Sequence, residues 1–161
     1  MSAVLVKSFA LVGAGRASRD WLELLPEFPE LSLEAVVDPD PEQRRAIPAR
    51  GFASVAAMLE AGRVPRIAVL CTPPSLHLEW TIRALDAGKH VILEKPPLLR
   101  STDFAEVAAA ARRANRQVMV AENYFYKPLT VLLRRTISRG DLGDVRFIHL
   151  NAIKKQTTGD W

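Results

Sequence analysis

The residues with the clearest chemical potential form a glycine loop near the N-terminus, Val12-Gly13-Ala14-Gly15. The loop follows an apolar run and opens a helix-like segment, so free N–H groups and the positive end of the helix dipole would face an anion. The first glycine permits a tight turn, and the second lets the backbone approach a pyrophosphate. Ser18 replaces the third glycine of this fingerprint with another small residue. The loop therefore indicates a phosphate-binding turn, and a flexible turn between strand and helix is the alternative.

An acidic residue, Asp38, ends the next apolar run at roughly the 20 residues from the loop that a dinucleotide fingerprint expects. A carboxylate there accepts hydrogen bonds from ribose hydroxyls and repels a 2′-phosphate. The two features together predict a bound dinucleotide and favour NAD. NADP stays an alternative because Arg44 and Arg45 follow closely, although exposed helix charges are the simpler interpretation of both arginines.

Three later strand-like runs end in residues that stand out chemically. They are Cys71-Thr72-Pro73-Pro74, Glu94-Lys95-Pro96-Pro97 and Glu122-Asn123-Tyr124. Because ligands bind beyond the carboxyl ends of parallel strands, we expect all three to meet in one crevice. A lysine that is partly buried there exchanges protons closer to neutral pH. Lys95 is therefore a candidate acid–base group, and a solvated turn lysine is the alternative.

Two further residues near this crevice have competing interpretations. His77 lies in the first turn after Pro74, where it would approach the nicotinamide ribose or serve as a packing or capping histidine. Cys71 fits a small buried hydrophobe better than a nucleophile. The three histidines and the single cysteine are dispersed along the chain, so we predict no metal site.

The elements that would position these residues alternate along the chain. The predicted strands are Ser8–Val12, Leu33–Asp38, Arg66–Thr72, His90–Glu94 and Gln117–Glu122. The predicted helices are Arg16–Leu25, Pro41–Ile47, one capped by Ser54, Ser75–Ala87, one from Ser101 to Asn115, and Pro128–Arg139. Apolar strands that alternate with helices predict an α/β fold with a doubly wound parallel sheet. The simplest strand order is 3-2-1-4-5-6.

The pattern changes after Gly143, where Asp144–Ile153 predicts a strand with no successor to pair with. We therefore interpret residues 1–143 as a dinucleotide-binding domain. We interpret residues 144–161 as the start of a substrate domain that is otherwise absent.

Composition excludes several classes of protein. The 161 residues are 48% hydrophobic and 25% charged, which is typical of a globular chain. The apolar N-terminal stretch has no basic region or cleavage site of a secretory signal, and no apolar run has the length of a membrane helix. The net charge of +4 comes from scattered arginines, which argues against nucleic-acid binding. With one cysteine, the simplest interpretation is a cytoplasmic protein.

The stretch Cys71–Pro97 resembles the signature of the Gfo/Idh/MocA oxidoreductases. The matching residues are Thr72-Pro73-Pro74 before His77, Ala84-Leu85, Gly88-Lys89-His90-Val91 and Glu94-Lys95-Pro96. The glycine loop, Ala121-Glu122-Asn123 with Tyr126 and Pro128, and Gly140-Asp141-Leu142-Gly143 extend the resemblance over essentially the whole chain. Phe125 departs from the family, in which an arginine often stands at this place.

The resemblance implies a Rossmann domain that binds NAD or NADP. It implies that Lys95 points at the substrate and helps to move a hydroxyl proton, and that the peptide bond before Pro96 is cis. It also implies sugar, cyclitol or polyol substrates, a homo-oligomeric full-length enzyme, and a C-terminal domain that supplies another catalytic residue, often histidine. Without that domain we expect little or no turnover by this chain.

The sequence thus predicts the cofactor-binding portion of an oxidoreductase that transfers hydride between nicotinamide and a carbinol carbon, with Lys95 as the catalytic residue. The predicted cofactor contacts are Gly13, Ala14, Gly15, Arg16, Ala17, Asp38, Cys71, Thr72, Pro73, Pro74, His77, Glu94, Lys95, Pro96 and Asn123. Two alternatives remain open at this point. One is an NAD(H)-binding module without turnover, and the other is an NAD-dependent glycoside hydrolase of the same fold.

Overall fold

Six parallel strands form the central sheet in a computed structural model that describes residues 7–62 and 65–151. The strands are β1 Lys7–Val12, β2 Leu31–Val37, β3 Arg50–Phe52, β4 Ile67–Leu70, β5 His90–Leu93 and β6 Val118–Val120. They pair in the order β3-β2-β1-β4-β5-β6, and every pairing is parallel. The predicted doubly wound fold is therefore confirmed. The order reverses between β1 and β4, where ligands bind in such sheets.

A helix lies between each pair of consecutive strands, and a sixth helix follows β6. They are α1 Arg16–Leu24, α2 Pro41–Arg45, α3 Val55–Glu60, α4 His77–Asp86, α5 Ser101–Ala114 and α6 Pro128–Ser138. Ser54 caps α3 as predicted, since its Oγ accepts the N–H of Ala57 at 3.1 Å. The predicted cap of α5 is wrong because Ser101 is already helical and follows Arg100 without a side-chain cap.

Two apolar layers cover the sheet because successive side chains of a strand point to opposite faces. On β1, Val12 belongs to one layer and Leu11 to the other. Leu85 of α4 and Val107 of α5 belong to the first layer, and Trp21 of α1 packs against the second. The strands at the reversal point are therefore supported from both sides, which holds their carboxyl ends in place.

The chain divides into two compact units between Glu122 and Asn123. The first contains the sheet, and the second contains α6 together with a 3-10 turn at Asn123–Tyr126. This division differs from the domain boundary that we predict after residue 143, and that boundary stays a prediction.

The strand predicted at Asp144–Ile153 is not observed over residues 144–151, and its last two residues lie outside the described part of the chain. Residues 144–151 are exposed and hydrogen-bond to no other strand there. A strand needs a partner for its backbone groups, which explains why an apolar alternation alone does not produce one. In the described residues, no helix combines the length and apolarity that a membrane span needs.

Candidate functional site

The first glycine of the loop allows the end of β1 to pass close to the end of β4. Gly13 has a φ of +92°, and a Cβ placed on it would lie 2.8 Å from the carbonyl carbon and oxygen of Cys71. Backbone hydrogen bonds hold the three strands together at this level. The Gly13 N–H donates to Val37 O at 2.8 Å, and the Cys71 N–H donates to Val12 O at 2.7 Å. Only glycine fits at this turn.

The second glycine has a different environment. Gly15 is the N-cap of α1, with a φ of −80° and no side-chain cap. A Cβ on Gly15 would meet no atom within 4 Å. Ser18 is fully buried, and its Oγ donates to Gly15 O at 2.7 Å, so a small residue is required there as predicted. The open first turn of α1 has backbone N–H groups without helical partners, and this arrangement fits a diphosphate.

Asp38 follows β2 and reaches the glycine loop. Its backbone N–H donates to Phe52 O of β3 at 3.1 Å. Its Oδ2 accepts the N–H of Ala14 at 2.8 Å, and its Oδ1 accepts the N–H of Asp40 at 2.9 Å. A carboxylate has about four acceptor positions, so both oxygens retain capacity for ribose hydroxyls. The predicted pairing of the loop with this acid is therefore present in the fold.

Arg44 has a structural contact that the sequence does not reveal. Its Nη1 donates to the carbonyl oxygens of Asp38 and Pro39. The side chain is half-buried and lies close to Gly51, whose added Cβ would be 3.3 Å from Arg44 Cβ. The interpretation of Arg44 as an exposed helix charge is thus wrong, because the guanidinium holds the loop that carries Asp38. Arg45 is exposed.

The carboxylate of Glu94 links α1 to the end of β5. Trp21 Nε1 donates to Glu94 Oε1 at 2.8 Å, and the Lys95 N–H donates to Glu94 Oε2 at 3.0 Å. Lys95 is exposed, so the partial burial expected of an acid–base lysine is not observed in this chain, and its exposure agrees with the solvated-turn alternative. Its peptide bond to Pro96 is cis, as the resemblance implies. Sequence reasoning missed Trp21, since no local pattern identifies a partner 73 positions away.

His77 is 1% exposed and joins the loops that follow β4 and β5. Its Nε2 lies 2.7 Å from Thr72 O, and its Nδ1 lies 2.9 Å from Pro97 O and 3.1 Å from Pro96 O. These contacts favour the packing and capping interpretation over a side chain directed at the nicotinamide ribose. Direct contact between His77 and a cofactor stays a prediction.

Cys71 and Thr72 follow β4, and the carbonyl of Thr72 is one of the His77 contacts. Cys71 is 7% exposed, and burial, with a smaller contribution from the charge of Glu94, raises the pKa of its thiol to about 12. It is therefore a small buried hydrophobe at neutral pH, as expected. Within the described residues, the buried Thr72 Oγ1 has no hydrogen-bond partner. In the described part of the chain, the buried Thr81 Oγ1 of α4 has no partner either.

The remaining candidates differ in exposure and location. Arg16, Ala17, Pro73 and Pro96 are exposed, and Pro74 is half-buried. Asn123 begins the second compact unit, so its predicted contact with the cofactor stays a prediction. In that unit, Phe125 packs edge-on against Tyr126, with the Arg134 guanidinium 3.9 Å from the Phe125 ring centroid. Across the described residues, no cluster of three or more acidic, histidine or cysteine side chains is placed to bind a metal.

Residues 7–122 match the family model described as an oxidoreductase family with an NAD-binding Rossmann fold, GFO_IDH_MocA. The dTDP-3,4-didehydro-2,6-dideoxy-alpha-D-glucose 3-reductase of Streptomyces violaceoruber is 35% identical over 88% of this chain and 43% of its own length. The D-glucoside 3-dehydrogenase of Escherichia coli is 30% identical over 94% of this chain and 45% of its own length.

A solved structure shows the same similarity in three dimensions. The WlbA dehydrogenase from Bordetella pertussis, in complex with NADH and UDP-GlcNAcA, has a TM-score of 0.80 at 30% identity. The match covers 85% of this chain and 41% of that one. The chain therefore spans less than half the length of these relatives.

Proposed function

The chain belongs to the Gfo/Idh/MocA oxidoreductase family, and on that premise we propose that it is the cofactor-binding part of an NAD-dependent sugar dehydrogenase or reductase. The contact that carries the proposal is between Asp38 and the glycine loop, because the hydrogen bond from Ala14 holds the carboxylate beside the open end of α1. One turn thus presents both a diphosphate site and a ribose site.

The residues that would hold the dinucleotide have separate tasks. Backbone N–H groups of Gly15, Arg16 and Ala17 at the start of α1 face the diphosphate. Asp38 accepts from the hydroxyls of the adenosine ribose and repels a 2′-phosphate, which favours NAD over NADP. When it is bound, the nicotinamide ring supplies or accepts the hydride.

Lys95 is the proposed acid–base group. It follows β5, next to the end of β4 and the reversal point of the sheet, and its side chain is exposed. A lysine amine at this edge takes the proton of a substrate hydroxyl as the carbinol is oxidised, and returns it in the reverse direction. The His77 contacts with Pro96 O and Pro97 O hold the loop that follows Lys95.

The proposed substrate is a ring hydroxyl of a sugar, free or attached to a nucleotide, or of a cyclitol or related polyol. The relatives support this class, since their names describe a dTDP-sugar reductase and a glucoside dehydrogenase. A cytoplasmic location stays a prediction from the composition, and a homo-oligomeric full-length enzyme stays a prediction from the family resemblance.

A titration of this chain with NADH and NADPH, followed by nicotinamide fluorescence, tests the proposal. We expect saturable binding of NADH and weaker binding of NADPH. Asp38→Asn is the variant of similar size: its amide oxygen can still accept from Ala14, while the negative charge and the acceptor of the Asp40 N–H are lost. Absence of saturable binding of either nucleotide by the wild-type chain would contradict the proposal.

A panel of sugars and polyols separates the dehydrogenase from the two alternatives. Formation of NADH that depends on a polyol, in the full-length protein, supports a dehydrogenase. Release of a sugar without accumulation of NADH supports a glycoside hydrolase, and NADH binding without either reaction supports a binding module.

A further inference from the structure

Trp21 makes a long-range contact that has no part in the dinucleotide site proposed above. It lies on α1, six positions after Gly15, and its ring is half-buried against an apolar layer of the sheet. An indole N–H can only donate, and a partly buried one needs an acceptor. Here the acceptor is Glu94 Oε1 at 2.8 Å. A donor to a carboxylate makes a charge-assisted hydrogen bond, which is stronger than a neutral one.

The second oxygen of the same carboxylate determines what this contact does. Glu94 Oε2 accepts the backbone N–H of Lys95 at 3.0 Å. The Glu94 backbone directly follows β5 and is bonded to the neighbouring strand, because its N–H donates to Leu70 O of β4 at 3.0 Å. One carboxylate oxygen of Glu94 therefore bonds to Trp21 of α1, and the other bonds to the backbone N–H of Lys95.

We propose that Trp21 is a positioning residue for Lys95, acting through Glu94. The indole N–H selects the conformation of the Glu94 side chain in which Oε2 binds the Lys95 N–H. Lys95 then starts from a defined backbone position relative to α1. This inference rests on the proposed function in one respect, namely that Lys95 carries the acid–base role.

The same helix would then position both halves of the reaction. Helical residues rise 1.5 Å each, so Trp21 lies about 9 Å along α1 from Gly15, where the diphosphate is proposed to bind. A helix is stiff over this distance. The same rigid helix would therefore hold both the dinucleotide and the backbone of Lys95 in place. A displacement of 1 Å between the two is costly in a reaction that needs close approach.

Amide hydrogen exchange of the full 161-residue chain, resolved by NMR, tests this role without any substrate. Trp21→Phe keeps an aromatic ring against the apolar layer, removes the N–H donor and reduces the size of the ring, so its control must share the reduction in size. Trp80→Phe is the matched control, since Trp80 lies on α4 and packs against the other layer, next to Arg83. The Val91 N–H, which donates to Gln117 O, is an internal reference for global opening.

We expect Lys95 N–H exchange to be about tenfold faster in Trp21→Phe than in the wild type, the fold-change for loss of one hydrogen bond to a charged group. Exchange at Val91 should not change, and Trp80→Phe should leave both amides unchanged. Glu94→Gln, which offers one acceptor oxygen in place of two, should also accelerate exchange at Lys95. In a full-length protein with an identified substrate, Trp21→Phe should lower kcat and leave the Kd for NADH unchanged.

Equal Lys95 exchange in the wild type, Trp21→Phe and Glu94→Gln would overturn the inference. Faster exchange at Lys95 and Val91 together in Trp21→Phe, with no effect of Glu94→Gln, would also overturn it, because it would indicate loss of packing alone. Failure of the proposed function is a separate result. It would be seen as a wild-type chain that binds no dinucleotide while the exchange experiment still decides whether Trp21 holds Lys95.

Discussion

The two glycines of the loop should respond to the same substitution in opposite ways. In Gly13→Ala, the new side chain must accept a φ of +92° and a contact of 2.8 Å with the backbone of Cys71. A left-handed backbone costs an L-residue roughly 1–2 kcal/mol, and overpacking costs roughly 1–3 kcal/mol. The clash is with backbone, which has little freedom to move aside. We expect the free energy of unfolding to fall by about 2–5 kcal/mol, a large share of the roughly 5–15 kcal/mol that stabilises a domain.

Gly15→Ala is the matched substitution. The φ of −80° suits alanine, and its Cβ would meet no atom within 4 Å. The lost preference for glycine at an N-cap costs less than about 1 kcal/mol. The methyl group would, however, enter the space in which the backbone approaches the diphosphate, so the affinity for NADH should fall by about tenfold or more.

Urea unfolding followed by circular dichroism, with an NADH titration of each variant, measures both effects. The expected pattern is a destabilised Gly13→Ala and a stable Gly15→Ala that binds NADH weakly. The reasoning would be refuted if Gly15→Ala lost as much stability as Gly13→Ala, or if it bound NADH as tightly as the wild type.

Three further predictions concern the strand ends. Asp38→Asn should weaken NADH binding by about 10–100-fold, since bonds to a charged acceptor are worth roughly 1.5–3 kcal/mol. It should also reduce the preference for NADH over NADPH. Titration with both nucleotides measures this preference, and an unchanged value would contradict the ribose role of Asp38. His77→Leu should lower the free energy of unfolding in urea by about 1–3 kcal/mol, because a neutral imidazole donates through one ring N–H and its loss leaves the carbonyl bound there without that donor. His77→Gln, which keeps an N–H donor, should lose less, and equal losses would argue for packing alone. The pKa of Cys71 is raised to about 12 from 9.0, so the folded state retains the thiol proton over this pH range. The contribution of this thiol to stability is therefore complete below about pH 9 and is lost as the pH rises towards 12, by up to about 1.4 kcal/mol per pH unit. The urea midpoint should fall more steeply with pH in the wild type than in Cys71→Ala. Equal dependence on pH in the two proteins would show that this thiol does not contribute.

Much of the proposed cofactor site could be predicted from residue order alone. The glycine loop, Ser18 and Asp38 act through backbone conformation, size and charge, which a local pattern records. The alternation of apolar strands and helices likewise predicts a doubly wound sheet, because each strand must be buried on both faces. The family resemblance implies a cis peptide bond before Pro96, and this bond is cis in the structure.

Elements without a local signal were missed or misplaced. The strand β3 is short, and none of its residues is fully buried, so its sequence shows no apolar run. The strand predicted at residues 144–153 had the alternation but no partner over residues 144–151. Sheet membership depends on a neighbouring backbone, which residue patterns do not specify.

Residue type and spacing were enough to identify the candidates for dinucleotide binding and proton transfer, which are Gly13, Gly15, Asp38 and Lys95. The contacts that support these residues become visible only when the chain is folded. His77 clamps two loops, Arg44 holds the turn that carries Asp38, and Trp21 reaches Glu94. The physical reason is that such contacts are set by strand order and helix packing, which bring together side chains that are distant in the chain.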